Sequence, residues 1–136
     1  MTAILLDASV AVALVVDETG SQAAAAAVDG CAPLVPDTFW GEVSSALVRK
    51  VRGGAVRRGD AFAAFALLRR LVERTVPTEP LGALAMTLAL DLDHPVYDCV
   101  YLAAAIAHDV VLLTADRALH GRASDAGYGA HVRLVG

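Results

Sequence analysis

The chain has 136 residues, 57% of them hydrophobic and 19% charged, with eleven basic residues against fifteen acidic ones and a formal net charge of −4. So much apolar material supports a packed core and excludes a disordered chain, and the length suits one compact domain, expected to span residues 1–136. The negative charge excludes broad electrostatic binding of nucleic acid, so any such chemistry must rest on a local site and on bound cations.

The longest apolar run, Cys99 to Ala107, is far short of the roughly 18 residues of a spanning helix. The opening MTAILLDASVAVALVV has no basic lead and carries Asp7 within its apolar run, so no secretory signal is expected. Cys31 and Cys99 lack metal-like spacing and read as reduced thiols of a cytoplasmic protein.

In chain order, Thr2 to Leu6 reads as a buried strand. Val10 to Val16 and the Ala-rich Ser21 to Val28 read as helices, because alanine is the best helix former. Pro33 to Val35 is a brief second strand. Asp37 or Thr38 is expected to cap a helix running to about Arg52 and stopping at Gly53-Gly54. A helix over about Arg58 to Glu73 follows, with Phe62, Phe65, Leu68 and Val72 near helical spacing. Thr75 to Pro77 is a candidate third strand, and Leu81 to Leu90 a helix ended by His94-Pro95. Tyr97 to His108 is apolar nearly all round and predicts a buried helix. Val110 to Thr114 has the continuous apolar character of a strand covered on both faces. A short helix over Arg117 to Ala126 and a strand over His131 to Val135 complete the chain. Alternating short apolar strands and helices predict an α/β domain with a parallel sheet between two helical layers.

Most of the acidic residues fall at turns and surfaces, but four do not. Asp7 ends the first strand, and Asp116 follows the strand in VVLLTAD. In open parallel sheets ligands bind beyond the carboxyl ends of the strands, so these two acids share a crevice if their strands are neighbours. Glu42 lies on the helical stripe of Phe39, Val43, Ala46 and Leu47. Asp98 shares a face with Tyr101, Leu102, Ala105 and Ile106. A carboxylate on a core-facing stripe loses solvation and needs a cation or good donors. One like-charge pair at about 4 Å costs on the order of 4 kcal/mol at an effective dielectric near 20, and a divalent cation removes that repulsion. All-oxygen ligands favour magnesium or manganese. Each acid also has a plainer reading. Asp7 and Asp116 can cap the helices that follow them, Glu42 can pair with Arg49, and Asp98 suits the first turn of its helix through the helix dipole.

Taken together, the residues resemble the PIN-domain nucleases, and within them the VapC-type toxins of toxin–antitoxin pairs. ILLDASVAVALV is similar to their first strand and helix, with an Asp-x-Ser signature at Asp7 and Ser9. DTFWGEVSSAL resembles the helix that supplies a glutamate, here Glu42. HPVYDCVYLAAAIAHDVVLLTADRAL resembles the stretch that carries Asp98, Thr114 and Asp116. Cys99 departs from the small residue, often alanine, that follows that aspartate, and Gly53 to Pro77 matches only in general character.

The resemblance implies a PIN-like three-layer sandwich with a five-stranded parallel sheet ordered 3-2-1-4-5. It implies magnesium-dependent cleavage of RNA, with manganese as a substitute, a homodimer and a small antitoxin partner. On that reading Asp7, Glu42, Asp98 and Asp116 are the catalytic acids. Magnesium sits on Asp7, Asp98 and Asp116. Glu42 takes a proton from the attacking water or holds a second cation, and Ser9 and Thr114 orient the carboxylates. A free-standing RNA-processing nuclease and a non-catalytic binding module of the same fold remain alternatives. A signalling receiver domain does not fit, because Asp7 stands alone and Lys50 is the only lysine.

The basic run of Arg49, Lys50, Arg52, Arg57 and Arg58 reads first as a solvated helix end and second as an RNA- or partner-facing patch. His94, His108, His120 and His131 lack ligand spacing and are assigned no catalytic role. Trp40 and Tyr97 are expected in the core rather than as stacking platforms for bases.

Overall fold

The structure, a computed structural model, describes residues 1–136. Five parallel strands, β1 (Thr2–Leu6), β2 (Cys31–Pro36), β3 (Arg74–Val76), β4 (Val111–Thr114) and β5 (Val132–Leu134), form one sheet in the order β3-β2-β1-β4-β5. This is the 3-2-1-4-5 order expected of a PIN-like α/β sandwich. The helices are α1 (Ala8–Val15), α2 (Ser21–Val28), α3 (Phe39–Arg52), α4 (Arg58–Leu71), α5 (Gly82–Leu92), α6 (Val96–Ala107) and α7 (Arg117–Asp125).

The chain leaves β1 in one direction, reaches β2 and β3, then crosses back to β4 and β5 on the other side. Crossovers between parallel strands are right-handed, so the change of direction puts α1 to α4 on one face of the sheet and α5 to α7 on the other. It also makes β1 and β4 the pair at which the strand order reverses, where a crevice opens past their carboxyl ends. Leu5 pairs with Leu34 on one side and Leu112 on the other. Leu5, Leu6, Leu112 and Leu113 are all fully buried. Each of those side chains contributes on the order of 1.5–3 kcal/mol by leaving water.

Pro33 is tolerated inside β2 because β3 begins to pair only at Leu34, so on that side the strand is still an edge. Helix α3 buries Phe39, Val43 and Leu47 at four-residue spacing. It ends with Arg49, Lys50 and Arg52 in its last turn, where cations suit the helix dipole. No helix is long and apolar enough to cross a membrane.

Helix α4 packs Leu68 and Phe65 against the core. Its buried residues are Ala61, Ala64 and Leu68, and Phe62 is 68% exposed. Phe62 lies outside this face, and Ala61 and Ala64 take the inner positions beside Leu68. Neither Asp37 nor Thr38 caps α3 through its side chain. Asp37 instead accepts from the Thr78 hydroxyl at 2.6 Å and the Thr78 N–H at 3.2 Å, tying the end of β2 to the turn after β3.

Candidate active site

Asp7 stands where β1 becomes α1. Its N–H donates to Leu113 O at 3.1 Å, extending the β1–β4 ladder by one residue, and its carbonyl accepts from the N–H groups of Val10 and Ala11. The side chain does not cap α1. Oδ2 accepts from the Thr114 hydroxyl at 2.6 Å and the Ser9 hydroxyl at 3.0 Å. Those hydroxyls also receive bonds from the next turn, Thr114 Oγ1 from Asp116 N–H at 3.1 Å and Ser9 Oγ from Ala115 N–H at 3.4 Å. Two hydroxyls therefore stitch together the ends of β1 and β4. Burial raises the Asp7 pKa, the Thr114 and Ser9 bonds oppose the rise, and the charge of Asp98 adds to it.

Asp116 does cap its helix, α7, with Oδ1 accepting from Leu119 N–H at 3.1 Å. Its other oxygen lies 3.5 Å from His94 Nε2. Asp98, in the first turn of α6, accepts from the same nitrogen at 3.0 Å. His94, assigned no catalytic role from the sequence, thus has its ring beside two of the acids. One ligand atom from each of His94, Asp98 and Asp116 lies within 4.8 Å of the others. The signal in the sequence was the four-residue spacing of His94 and Asp98, hidden because Pro95 separates the two at the start of α6.

Glu42 reaches the crevice from α3. It does not pair with Arg49, whose guanidinium donates to Ser45 Oγ at 3.0 Å. Glu42 Oε1, the Tyr101 hydroxyl and the Thr38 hydroxyl are all buried without a hydrogen-bond partner. Burial pushes the Glu42 carboxyl up, and the charges of Asp7 and Asp98 add to the rise, while the nearby Tyr101 hydroxyl works against it. Tyr101 is driven well above the usual phenol range by burial and by the charges of Glu42 and Asp7. The Cys99 thiol is pushed up to about 11 by burial and by Asp98, so it stays protonated at neutral pH. Tyr101 was legible only as one apolar member of the Asp98 stripe, and its polar tip went unread.

All four acids line one open crevice of about 910 Å³. Arg49 and Lys50 also line it, with Lys50 paired to Glu18. Tyr97, expected in the core, is 69% exposed on the rim, because it sits in the first turn of α6 where nothing packs over it. Trp40 does pack as expected, edge-on against Phe39 and Phe65, with its indole N–H on Thr75 Oγ1 at 3.1 Å.

These residues fit a hard divalent cation. The donors are carboxylate oxygens, burial with the added charge of neighbouring acids raises the pKa values of Asp7 and Glu42, and one Glu42 oxygen is buried without a partner. A parallel sheet with acids gathered at its switch point defines an α/β protein with an acidic, cation-type site.

The PIN-domain family model matches residues 4–124, a span that includes all four acids, and the chain belongs to the PIN-domain family. No curated protein matches it. Among solved structures it is similar to PAE2754 of Pyrobaculum aerophilum at 23% identity, covering 89% of this chain and 79% of that one, with a TM-score of 0.68. It is also similar to VapBC2 of Rickettsia felis bound to a promoter DNA fragment, at 8% identity, 99% and 100% coverage and a TM-score of 0.70. A toxin–antitoxin complex of Klebsiella pneumoniae is similar at 16% identity, 96% coverage of each chain and a TM-score of 0.63. At these identities the likeness is one of fold.

Proposed function

We propose that the chain is a magnesium-dependent endoribonuclease, the toxic member of a toxin–antitoxin pair. The observation that carries the nuclease reading is the convergence of Asp7, Glu42, Asp98 and Asp116 on one crevice at the sheet's switch point. Membership of a family whose domains are generally nucleases supports it. Two of the structural relatives are toxin–antitoxin assemblies, which favours an antitoxin partner over a free-standing nuclease.

Asp7, Asp98 and Asp116 would hold the ion. A magnesium ion bound there supplies positive charge and Lewis acidity to the scissile phosphate. Thr114 and Ser9 fix the Asp7 carboxylate through Oδ2. Glu42, whose proton affinity burial raises, accepts the proton of the attacking water. Arg49, which has no acidic partner, offers the rim a cation for the RNA backbone.

The test is cleavage of a mixed RNA pool with magnesium, with manganese and with chelator, beside Asp7→Asn. Cleavage that needs either ion and disappears in the variant supports the reading. Cleavage unaffected by chelator or by Asp7→Asn contradicts it. The small protein encoded beside this gene, added in equal amount, should bind and block cleavage; binding without inhibition would leave the nuclease and remove the toxin assignment.

A further inference from the structure

Two roles suit His94: a fourth ligand to the cation, or a donor that holds the carboxylates in place. The surrounding bonds decide between them. His94 lies between Asp93, whose φ of 50° closes α5 in a left-handed turn, and Pro95, which starts α6. Its N–H bonds Ala89 O at 3.1 Å, and its side chain is only 5% exposed, so the ring has little freedom to turn. Arg122, on α7, donates to Asp93 O at 2.7 Å and approaches His94 Nδ1 at 3.0 Å through the same nitrogen.

A guanidinium has donors and no acceptor, so Nδ1 must present its lone pair and the ring proton sits on Nε2. That proton points to Asp98 Oδ2 at 3.0 Å, with Asp116 Oδ2 at 3.5 Å. Ligation through Nε2 would require the proton to move to Nδ1, where it would confront the Arg122 N–H donor-to-donor.

We propose that His94 is a positioning residue, set in its Nε2–H tautomer by Arg122, that pins the Asp98 and Asp116 carboxylates for cation binding without ligating the cation. This rests on the cation-centre reading above. Asp98 lies on α6 and Asp116 at the N-cap of α7, where Leu119 N–H holds its Oδ1. Asp98 has no side-chain bond but that of His94 and would otherwise be free to swing away from Asp116 under mutual repulsion. One N–H placed between them offsets that repulsion and leaves Asp98 Oδ1 for the ion. Arg122 is exposed on α7, six residues beyond Asp116, so the device also ties the turn before α6 to the helix that Asp116 caps.

The experiment uses the full chain at one fixed pH. Imidazole 15N–1H spectra are recorded with and without magnesium, and manganese binding is followed by the EPR signal of free ion in wild type, His94→Phe, His94→Gln and Arg122→Ala. The expected result is an Nε2–H tautomer that survives magnesium. His94→Phe should lose about 10–100-fold in ion affinity, the usual cost of removing a group that orients ligands. His94→Gln should recover most of it, because its amide N–H reaches the Nε2 position. Arg122→Ala should mix the tautomers and weaken binding less than His94→Phe does. Loss of the Nε2 proton on adding magnesium would make His94 a ligand and overturn the proposal. Wild-type affinity in His94→Phe would overturn it while leaving the cation centre intact. No manganese binding by wild type would remove the cation reading itself and this proposal with it. Should His94→Phe fail to fold, Arg122→Ala suffices, since an unchanged tautomer and affinity there also refute the clamp.

Discussion

The two halves of the crevice are built differently. Around Asp7, Asp98 and Asp116 each carboxylate meets a donor: two hydroxyls converge on Asp7 Oδ2, a backbone N–H holds Asp116 Oδ1, and His94 bonds Asp98 and faces Asp116. Around Glu42 the reverse holds, with its Oε1 and the Tyr101 and Thr38 hydroxyls all buried and unpartnered. A carboxylate held by donors through one oxygen is restrained in orientation and keeps acceptor capacity for an ion. A buried carboxylate with an unpaired oxygen keeps a raised proton affinity, as a base needs. On the proposed reading, the contrast divides four similar acids into an ion-holding set and one proton-accepting group through their neighbours alone.

The largest effect expected follows from breaking the rigid half. Asp7→Asn should reduce cleavage by more than about 100-fold, because it removes a ligand rather than a group that orients one, whose loss costs about 10–100-fold. Ion binding by EPR should fall in parallel. Glu42→Gln separates the halves: cleavage should fall by about 10²–10⁴-fold, the usual contribution of a general base, while manganese affinity changes far less than in Asp7→Asn. Equal losses of ion affinity in the two variants would erase the distinction.

The same division explains what the sequence revealed. Asp7 and Asp116 were readable because strand ends in a parallel sheet converge whatever the details of packing. Glu42 and Asp98 were readable as charges on apolar helical stripes. The capping readings separated only in the structure, where Asp116 caps α7 and Asp7 caps nothing. His94 and Arg122 were not legible, since a single turn residue has no periodicity and its partner comes from a helix 28 positions away. The exposure of Phe62 was not legible, since helical spacing alone does not separate it from Phe65, which packs against the core.

Smaller effects sharpen the picture further. Thr114→Val removes the shortest hydrogen bond to Asp7 and should weaken ion binding by about 10–100-fold. Because Thr114 is fully buried and the Asp7 oxygen loses a partner, unfolding in urea should also show a stability loss of about 1–3 kcal/mol.

The pH dependence of the ion-free protein has a definite sign. Asp7 and Glu42 have raised folded-state pKa values, so the folded state binds their protons more tightly than the unfolded chain does. Their stabilising contribution is present below the unfolded carboxyl value of about 4 and is lost as pH rises through the folded values. Asp7→Asn should therefore melt a few degrees above wild type near neutral pH in chelator, at about 3–5 °C per kcal/mol for a chain of this size. The gap should close toward about pH 4 and reverse when magnesium is added. A gap independent of pH would argue against charge repulsion as its cause.

The most direct test of the central claim is anomalous diffraction from crystals soaked in manganese. The account predicts a peak bounded by Asp7, Asp98 and Asp116, with carboxylate oxygens at roughly the 2.0–2.2 Å distances of small hard cations, His94 turned away as a donor, and Glu42 facing the ion's open side. A peak on another part of the surface, or no peak in the crevice at manganese concentrations that support cleavage, would contradict it.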